Sequence, residues 1–286
     1  MFTADKNTDN PIEILTLDQA EKFGATAVYF RRFPNSQTSV PQIYIYDSAF
    51  NNTELVETHR KLWSSGVVPF FYVVSESEIK IFSCTQKAER KRNELVVKPL
   101  DTLELLADVQ DSYKYQKYSA KLFDNGTFWE QEQNQALLNI KNSPYQTLLE
   151  GLLRARKYLE KEKQKLGIIN NTTISKLLIM CVLVKYLEEK QDDKGRKLLE
   201  IERDLYNQFP DSEQFTDILR NGQSVPFFEY LSKKFNGKIL HLTNTEKEEL
   251  NQANLTYVAQ IFDANIEESG QYVTWKLYSF NHLPSN

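Results

Sequence analysis

The stretch from His59 to Phe82, HRKLWSSGVVPFFYVVSESEIKIF, determines the fold of the first part of the chain. Its opening residues complete an amphipathic helix that Gly66 would end. Two runs rich in β-branched and aromatic residues follow, Val67–Val74 and Glu78–Ser83, and such runs are typical of strands. The short serine and glutamate segment between them has the length of a tight turn. The stretch therefore predicts a helix followed by two neighbouring strands.

The residues before this stretch predict more of the same sheet. The helix is expected over Thr53–Ser64, with Thr53 or Asn52 as its N-cap. Further upstream, Ala27–Phe33 and Gln42–Tyr46 are predicted strands, and Pro41 stands at the start of the second one, where a missing N–H costs little. The order strand, strand, helix, strand, strand indicates a mixed α/β domain over residues 1–110.

The second part of the chain has helical periodicity from about residue 130 onward. The predicted helices are 145–153 extending to a stop at Gly167, 173–189 as the central helix of a bundle, 215–219, 227–235, and 244–262 with Thr245 and Glu248 as a capping box. The aromatic segment 272–280 is predicted to be a strand or a docked extended segment. The expected fold class is α+β, with an aromatic and basic linker over 111–130 and an α-helical domain over 131–286.

Composition and absent motifs exclude several classes of protein. The N-terminus lacks the apolar core of a signal peptide, and the longest apolar run, Leu177–Val184, is far shorter than the ~20 residues that cross a bilayer. Cys84 and Cys181 lie far apart in apolar settings, which predicts buried free thiols in a reducing compartment. We therefore expect a cytoplasmic protein that does not contact a membrane. The glycines are too dispersed for a phosphate-binding loop, and the histidines lack metal-ligand spacing.

Asn142-Ser143-Pro144-Tyr145 is similar to the Asn-Pro-Pro-Tyr box with which amino-group DNA methyltransferases grip a flipped base. Serine replaces the first proline, helical sequence lies on both sides, and no glycine-rich methyl-donor loop precedes the box. The favoured interpretation is a helix start, with Ser143 as N-cap and Pro144 at the first helical position.

Glu78-Ile79-Lys80, with Asp47 upstream, is a candidate metal-dependent nuclease site. In such a site carboxylates hold Mg²⁺ and the lysine orients the attacking water. In the PD-(D/E)xK nuclease fold, however, the strand with Glu and Lys precedes the helix, and the corresponding strand here is Gln42–Tyr46, which has neither. Glu78 and Lys80 would then form the solvated face of a later strand. An active endonuclease using Asp47, Glu78 and Lys80 remains the alternative hypothesis.

Two groups of basic residues are candidates for binding DNA phosphates, although the net charge of the chain is −4. The first is the compact segment with Lys87, Arg90, Lys91 and Arg92, for which a solvated loop is the alternative. The second comprises Lys114 and Lys117, which alternate with aromatic residues in 112–129. Such a mixture can stack bases and neutralise phosphates, or it can anchor a linker across two domains.

Several ordered segments together resemble the N-terminal region of large N6-adenine DNA methyltransferases of restriction–modification systems, including the fused type IIG enzymes. The segments are AVYFRRF (27–33), VPQIYIYD (40–47), residues 59–82, FDNGTFW (123–129), residues 183–189, FNG (235–237) and LYSF (277–280). The resemblance touches almost the whole chain but includes no catalytic motif.

The resemblance implies a fold, a role and partners. Residues up to about 110 would take a nuclease-like fold that has lost its acidic and lysine positions, and the helical part would connect it to a methyltransferase domain beyond the end of this chain. The parent enzyme would use S-adenosylmethionine, whereas this chain would hold neither cofactor nor metal. Its expected partners are double-stranded DNA and its own C-terminal methyltransferase domain.

Overall fold

The structure, a computed structural model, describes residues 2–3, 8–33, 38–91, 94–104, 112–138, 143–166, 169–191, 204–235, 238–263 and 279–282. The chain divides into two compact units, one formed by residues 1–146 with 282–286 and the other by residues 147–281. Throughout these described ranges, every helix is too short or too polar to span a lipid bilayer.

The first unit is built on a mixed β-sheet. The strands, in chain order, are β1 (Phe2–Thr3), β2 (Ala27–Arg32), β3 (Ser39–Asp47), β4 (Phe70–Val74), β5 (Glu78–Ser83), β6 (Glu89–Lys91), β7 (Glu94–Val96) and β8 (Asp101–Glu104). The sheet has the order β1-β2-β3-β4-β5-β8, while β6 and β7 form a separate antiparallel hairpin. Only β3 and β4 run parallel; the other neighbours in the sheet are antiparallel. The four predicted strands correspond to β2–β5, and the α+β class is confirmed.

Helices surround this sheet. They are α1 (Pro11–Lys22), α2 (Asn52–Ser65), α3 (Ser112–Lys117), α4 (Ala120–Asp124), α5 (Thr127–Glu130) and α6 (Glu132–Gln135). The predicted end of α2 is confirmed, since Gly66 takes a left-handed conformation with φ 61°. The predicted N-cap, Asn52 or Thr53, is wrong, because the N-cap is Asn51. The Asn51 side chain accepts a hydrogen bond from the Glu54 N–H at 3.0 Å, and the Glu54 carboxylate accepts one from the Asn51 N–H. This reciprocal pair satisfies two backbone donors at once, which a cap at Asn52 or Thr53 would not do.

The sheet has two apolar faces, and each is covered. Leu17 and Ala20 of α1 and Leu62 of α2 pack on one face, against strand residues that include Tyr44 and Phe71. The opposite face is covered by aromatic residues of α3, α4 and α5. This second core contains Ile43, Ile45, Phe70, Ile81, Leu103, Tyr118, Phe123 and Phe128. The first unit is therefore a sheet enclosed between two helical layers.

Residues 112–130, which the sequence predicts to be a linker, form the second of these layers. The Tyr29 hydroxyl donates a hydrogen bond to the Asp124 carboxylate at 2.7 Å, and the Arg31 Nε donates to the Asp124 carbonyl at 3.2 Å. Phe70 stacks on Trp129 with ring centroids 5.5 Å apart. The structure differs from the predicted linker because a sheet with two apolar faces has to be covered on both of them. The aromatic residues of this segment cover the second face.

The described residues of the second unit form helices, and the unit begins at residue 147, whereas the sequence places the start of the helical domain at residue 131. Its helices are α7 (Pro144–Leu166), which starts in the first unit, α8 (Asn171–Glu189), α9 (Asp204–Asn207), α10 (Phe215–Arg220), α11 (Ser224–Phe235), α12 (Asn244–Gln252) and α13 (Thr256–Phe262). The start of α7 is confirmed, because the Ser143 hydroxyl accepts a hydrogen bond from the Gln146 N–H at 3.2 Å. Nine of the nineteen residues of α8 are buried, whereas Ile179, within the apolar run, is 54% exposed.

The predicted helix over 244–262 is two helices. α12 ends at Gln252, and the backbone of its C-cap, Ala253, is extended. The Asn254 side chain accepts a hydrogen bond from the Thr256 N–H at 3.0 Å. An asparagine that bonds to nearby backbone competes with helix continuation, which explains the break. The capping box is formed by Thr243 and Glu246, two residues earlier than predicted. Residues 272–278 and Gly167 lie outside the described residues, and Phe280 begins a short 3-10 turn.

Candidate functional sites

The structure does not bring the candidate nuclease residues together. Asp47 ends β3 and pairs with Val74 of β4, which in turn pairs with Ile79 of β5. Paired residues on neighbouring strands point to the same face, and successive residues alternate between faces. Asp47 therefore shares a face with Ile79, whereas Glu78 and Lys80 occupy the opposite face. Side chains on opposite faces of one sheet cannot ligate a single metal ion.

Glu78 and Lys80 are instead paired with each other. The Lys80 ammonium lies 2.6 Å from the Glu78 carboxylate, and both side chains are partly exposed to solvent. This is the arrangement of a surface ion pair, the structural alternative considered for these residues. Within the described ranges, no three His, Cys, Asp or Glu side chains come close enough to hold a metal ion.

The first basic segment forms the β6–β7 hairpin. Its strands pair in the register Glu89↔Val96, Arg90↔Leu95 and Lys91↔Glu94. Leu95 is buried, and Val97, just after β7, packs into the core beside α2, so this side of the hairpin faces inward. Glu89 and Lys91 alternate with the inward positions and are exposed. The hairpin is thereby attached to the sheet while its outer side stays open to solvent.

The outer side carries Lys87, Lys91 and Lys98 beside Glu89, and the strand register places Glu94 opposite Lys91. Lys87 and Lys91 are exposed, while Glu89 forms an ion pair with Lys98. Residues 87–98 contain five basic and two acidic residues, a net charge of +3 in a chain whose total is −4. Arg92 lies outside the described residues, and for Arg90 the backbone register alone is described. The hairpin is therefore a local positive surface on an acidic protein.

The second basic group lies on another surface. Lys117 is near the Asp101 carboxylate, at 3.8 Å, and over the Tyr118 ring, at 4.9 Å from its centroid. Lys114 is exposed on the same helix, α3, which covers the sheet face opposite to the hairpin. A single straight duplex segment cannot lie against both faces of one sheet. Lys114 and Lys117 thus do not extend the surface formed by Lys87 and Lys91.

A cavity of about 460 Å³ in the first unit was not predicted from the sequence. The cavity lies beside the first residues of β3. These residues are not paired with β4, because the pairing of the two strands begins at Ile43. Its lining is mainly apolar and includes Pro41, Trp63 and Trp129. Volumes of about 300–1,000 Å³ with apolar and aromatic walls are typical of small-molecule sites.

Gln42 is the buried polar side chain of this cavity, with 6% of its surface exposed. The β2–β3 register shifts at this point: Tyr29 pairs with Ile43 and Phe30 with Pro41, which leaves Gln42 as an extra residue in a β-bulge. Bulges redirect side chains. The Gln42 Oε1 accepts a hydrogen bond from the Trp129 indole at 3.0 Å. The only sequence signal for this site is an amide within an apolar run.

Cys84 also lines the cavity, as a free and fully buried thiol. Burial raises the pKa of the Cys84 thiol well above its ordinary value. Since the thiolate is the nucleophilic form of cysteine, Cys84 is an inert part of the wall. The prediction that Cys84 and Cys181 are buried and unpaired is confirmed.

Comparison with known protein families, with curated protein sequences and with solved structures finds no match to this chain. The functional argument therefore depends on the residues and their geometry alone.

Proposed function

We propose that this chain is a non-catalytic, DNA-binding module of a cytoplasmic N6-adenine DNA methyltransferase of a restriction–modification system. Its role is to hold double-stranded DNA, or the methyltransferase domain itself, in position for methyl transfer. S-adenosylmethionine would be bound by the methyltransferase domain of the parent enzyme and not by these residues. The observation that carries the proposal is the exposed basic surface of the β6–β7 hairpin.

The hairpin has the properties of a phosphate-binding element. Lys87 and Lys91 extend into solvent from a backbone that the buried Leu95 holds in place. Lysine ammonium groups bind DNA phosphates and release the counterions condensed on them. A protein with a negative total charge repels DNA in general, so binding has to be concentrated where the local charge is positive.

The fold supports a nuclease-like but inactive domain. A parallel pair, β3 and β4, is connected through α2 and flanked by antiparallel strands, which agrees with the nuclease-like core that the resemblance implies. The positions of β3 that match the catalytic acid and lysine are Tyr44-Ile45-Tyr46 or Ile45-Tyr46-Asp47, and neither alternative contains Glu or Lys. Tyr44, Ile45 and Tyr46 are all buried. Buried phenol and aliphatic side chains do not ligate Mg²⁺, which prefers carboxylate and water oxygens. This supports a role in binding and not in cleavage.

Titration of duplex DNA with the whole chain over a series of salt concentrations tests the proposal. We expect binding at low salt that weakens steeply as salt increases, because phosphate contacts release counterions. The same measurement with a polyglutamate of similar charge density is the control for non-specific ionic attraction. If the chain does not bind duplex DNA even at low salt, the DNA-binding role is refuted.

A further inference from the structure

We propose that the cavity beside β3 binds a small, neutral, planar heteroaromatic ligand that accepts a hydrogen bond from the Gln42 side chain. This inference does not depend on the DNA-binding role, because the cavity and the basic hairpin are formed by different residues.

The orientation of the Gln42 amide is fixed by its neighbour. An indole N–H can donate a hydrogen bond but cannot accept one, so the Trp129 indole requires the amide oxygen of Gln42 to face it. The amide nitrogen of Gln42 must then point the other way. Its one contact within the described residues is the carbonyl of the adjacent Pro41, at 3.4 Å, which is the long limit of a hydrogen bond. Gln42 thus retains donor capacity in a largely buried position.

A buried donor without a good acceptor is costly, and proteins rarely keep one without a reason. Here the cost is added to that of the β-bulge, which breaks the ladder between β2 and β3 at this residue. The bulge places Gln42 in the cavity wall. An acceptor atom on a ligand would form the missing hydrogen bond with the amide nitrogen. Ligand binding would therefore account both for the β-bulge and for the buried amide donor.

The remaining wall specifies the shape and charge of the ligand. Trp129, which is partly exposed, presents aromatic surface to the cavity, and this favours a flat ring system. Trp129 is held by stacking on Phe70 and by edge contact with Phe128, with centroids 5.5 and 5.0 Å away, so the site is preorganised. None of the described residues that line the cavity is charged, and an ionic ligand would lose its hydration without compensation. A neutral heteroaromatic compound meets all of these conditions.

Indole and 7-azaindole are a matched pair of probes, because they have the same shape and differ by one ring nitrogen that accepts a hydrogen bond. The readout is the set of indole N–H signals in ¹⁵N-labelled protein, which has three tryptophans. Substitution of Trp63 or Trp129 by phenylalanine assigns the two signals. We expect 7-azaindole to shift both signals and to bind about tenfold more tightly than indole, the value of one hydrogen bond.

The Gln42→Met variant keeps the length of the side chain but removes the donor. It should bind the two probes equally, whereas the Gln116→Met variant, changed at an exposed glutamine of α3, should discriminate between them as the wild type does. The wild-type comparison is decisive even if Gln42→Met does not fold. Equal affinity of the wild type for the two probes, or no shift of either signal at millimolar concentrations, would overturn the proposal.

Discussion

Arg32 and Glu13 form a two-point ion pair in the first unit: the Arg32 Nε lies 2.8 Å from one carboxylate oxygen of Glu13 and the Nη2 lies 2.9 Å from the other. Only 1% of the Glu13 side chain is exposed. The hydroxyls of Ser39 and Thr8 also donate to Glu13, each at 2.6 Å. Burial by itself would raise the pKa of Glu13, but these four hydrogen bonds outweigh it and lower the pKa to about 2.

This ion pair predicts a specific acid sensitivity. Because the pKa of Glu13 is about 2 in the folded state and 4.5 without the fold, the stabilisation is complete above pH 4.5 and is lost as the pH falls toward 2. The loss should reach about 3 kcal/mol. Urea unfolding at a series of pH values measures it. The Glu13→Gln variant should lack this step and lose about 2 kcal/mol at pH 7.

The matched control for this prediction is Glu57→Gln, which removes a surface ion pair with Arg60. Its stability should stay within about 1 kcal/mol of the wild type at every pH. Equal acid sensitivity of Glu13→Gln and the wild type between pH 4.5 and 2 would contradict the assigned role of Glu13.

His59 predicts a second pH dependence in a separate range. Burial lowers the pKa of His59 to about 4, although its Nε2 lies 3.0 Å from the Ser83 carbonyl, and this hydrogen bond acts in the opposite direction. The unfolded chain takes up a proton near pH 6.5, so the free energy of unfolding should decrease as the pH falls from 6.5 to 4, by about 3 kcal/mol. Titration of the His59 ring signals by NMR measures the pKa directly.

The His59→Gln variant cannot titrate, and its stability should be nearly constant in this pH range. A His59 ring signal that titrates near pH 6.5, in the folded protein, would show that the ring is not buried as described.

Gly126 predicts a local clash at the turn between α4 and α5. It has φ 83°, and a Cβ atom there would lie 2.6 Å from the Arg31 guanidinium. Gly126→Ala should therefore cost about 1 kcal/mol in backbone strain and about 1 kcal/mol more, since Arg31 must move and lose its bond to Asp124. Gly24→Ala is the matched control, with φ 77° and no atom near its Cβ, and should show the strain alone. Thermal unfolding of both variants measures the difference.

Combining Gly126→Ala with Arg31→Ala tests the cause. If the clash involves Arg31, the stability lost through Gly126→Ala in the Arg31→Ala background should be no greater than the stability lost through Gly24→Ala in the wild type. An unchanged extra cost would assign it to another contact.

Lys87 and Lys91 predict the salt dependence of DNA binding. The double variant Lys87→Ala/Lys91→Ala should weaken duplex binding and reduce the slope of log K against log salt by about 2, one for each lost phosphate contact. Lys233→Ala/Lys234→Ala removes the same charge from the end of α11 in the second unit. This control should bind with an unchanged slope, and identical slopes for the two double variants would place the DNA contact elsewhere.

Lys185 is the most deeply buried cation among the described residues, with 1% of its side chain exposed. It lies 2.7 Å from the carboxylate of Glu188, which also accepts hydrogen bonds from the Tyr206 hydroxyl and the Phe215 N–H. Burial by itself would lower the pKa of Lys185, but the neighbouring carboxylates of Glu188 and Glu189 raise it. Lys185→Met would leave Glu188 buried without its cation and should destabilise the protein by about 3 kcal/mol.

Chemical denaturation of Lys185→Met checks this value. Lys247→Met, which removes a partly exposed partner of Glu229, is the control and should cost less than about 1 kcal/mol. Adding Glu188→Gln to Lys185→Met should recover part of the loss, because it removes the uncompensated charge. A double variant weaker than the single one would contradict this explanation.

The sequence predicts the strands of the first unit well because their composition is strongly biased. Glu78–Ser83 matches β5 at both ends, and Gly66 ends α2 as expected. The relation of Asp47 to Glu78 and Lys80 could not be predicted in the same way. It depends on the register of three strands, and a shift of one residue moves a side chain to the other face.

The cavity also depends on information that a single sequence does not contain. Gln42, Trp63 and Trp129 are distant in the chain and meet only through the bulge in β3 and the packing of α5 on the sheet. The same packing explains why residues 112–130 were interpreted as a linker. Their alternating lysines and aromatic residues fit an exposed segment, and only the uncovered face of the sheet requires the aromatic residues to be buried.

The cover that α3, α4 and α5 provide sets the shortest length at which the first unit can exist by itself. A polypeptide ending at residue 110 would leave Ile43, Phe70 and Ile81 in contact with water, and a continuous apolar patch of this kind leads to aggregation. A polypeptide extended to Gln146 would keep these side chains enclosed. We expect light scattering to find the shorter piece aggregated and the longer one monodisperse, so the aromatic segment belongs to the folding unit of the sheet.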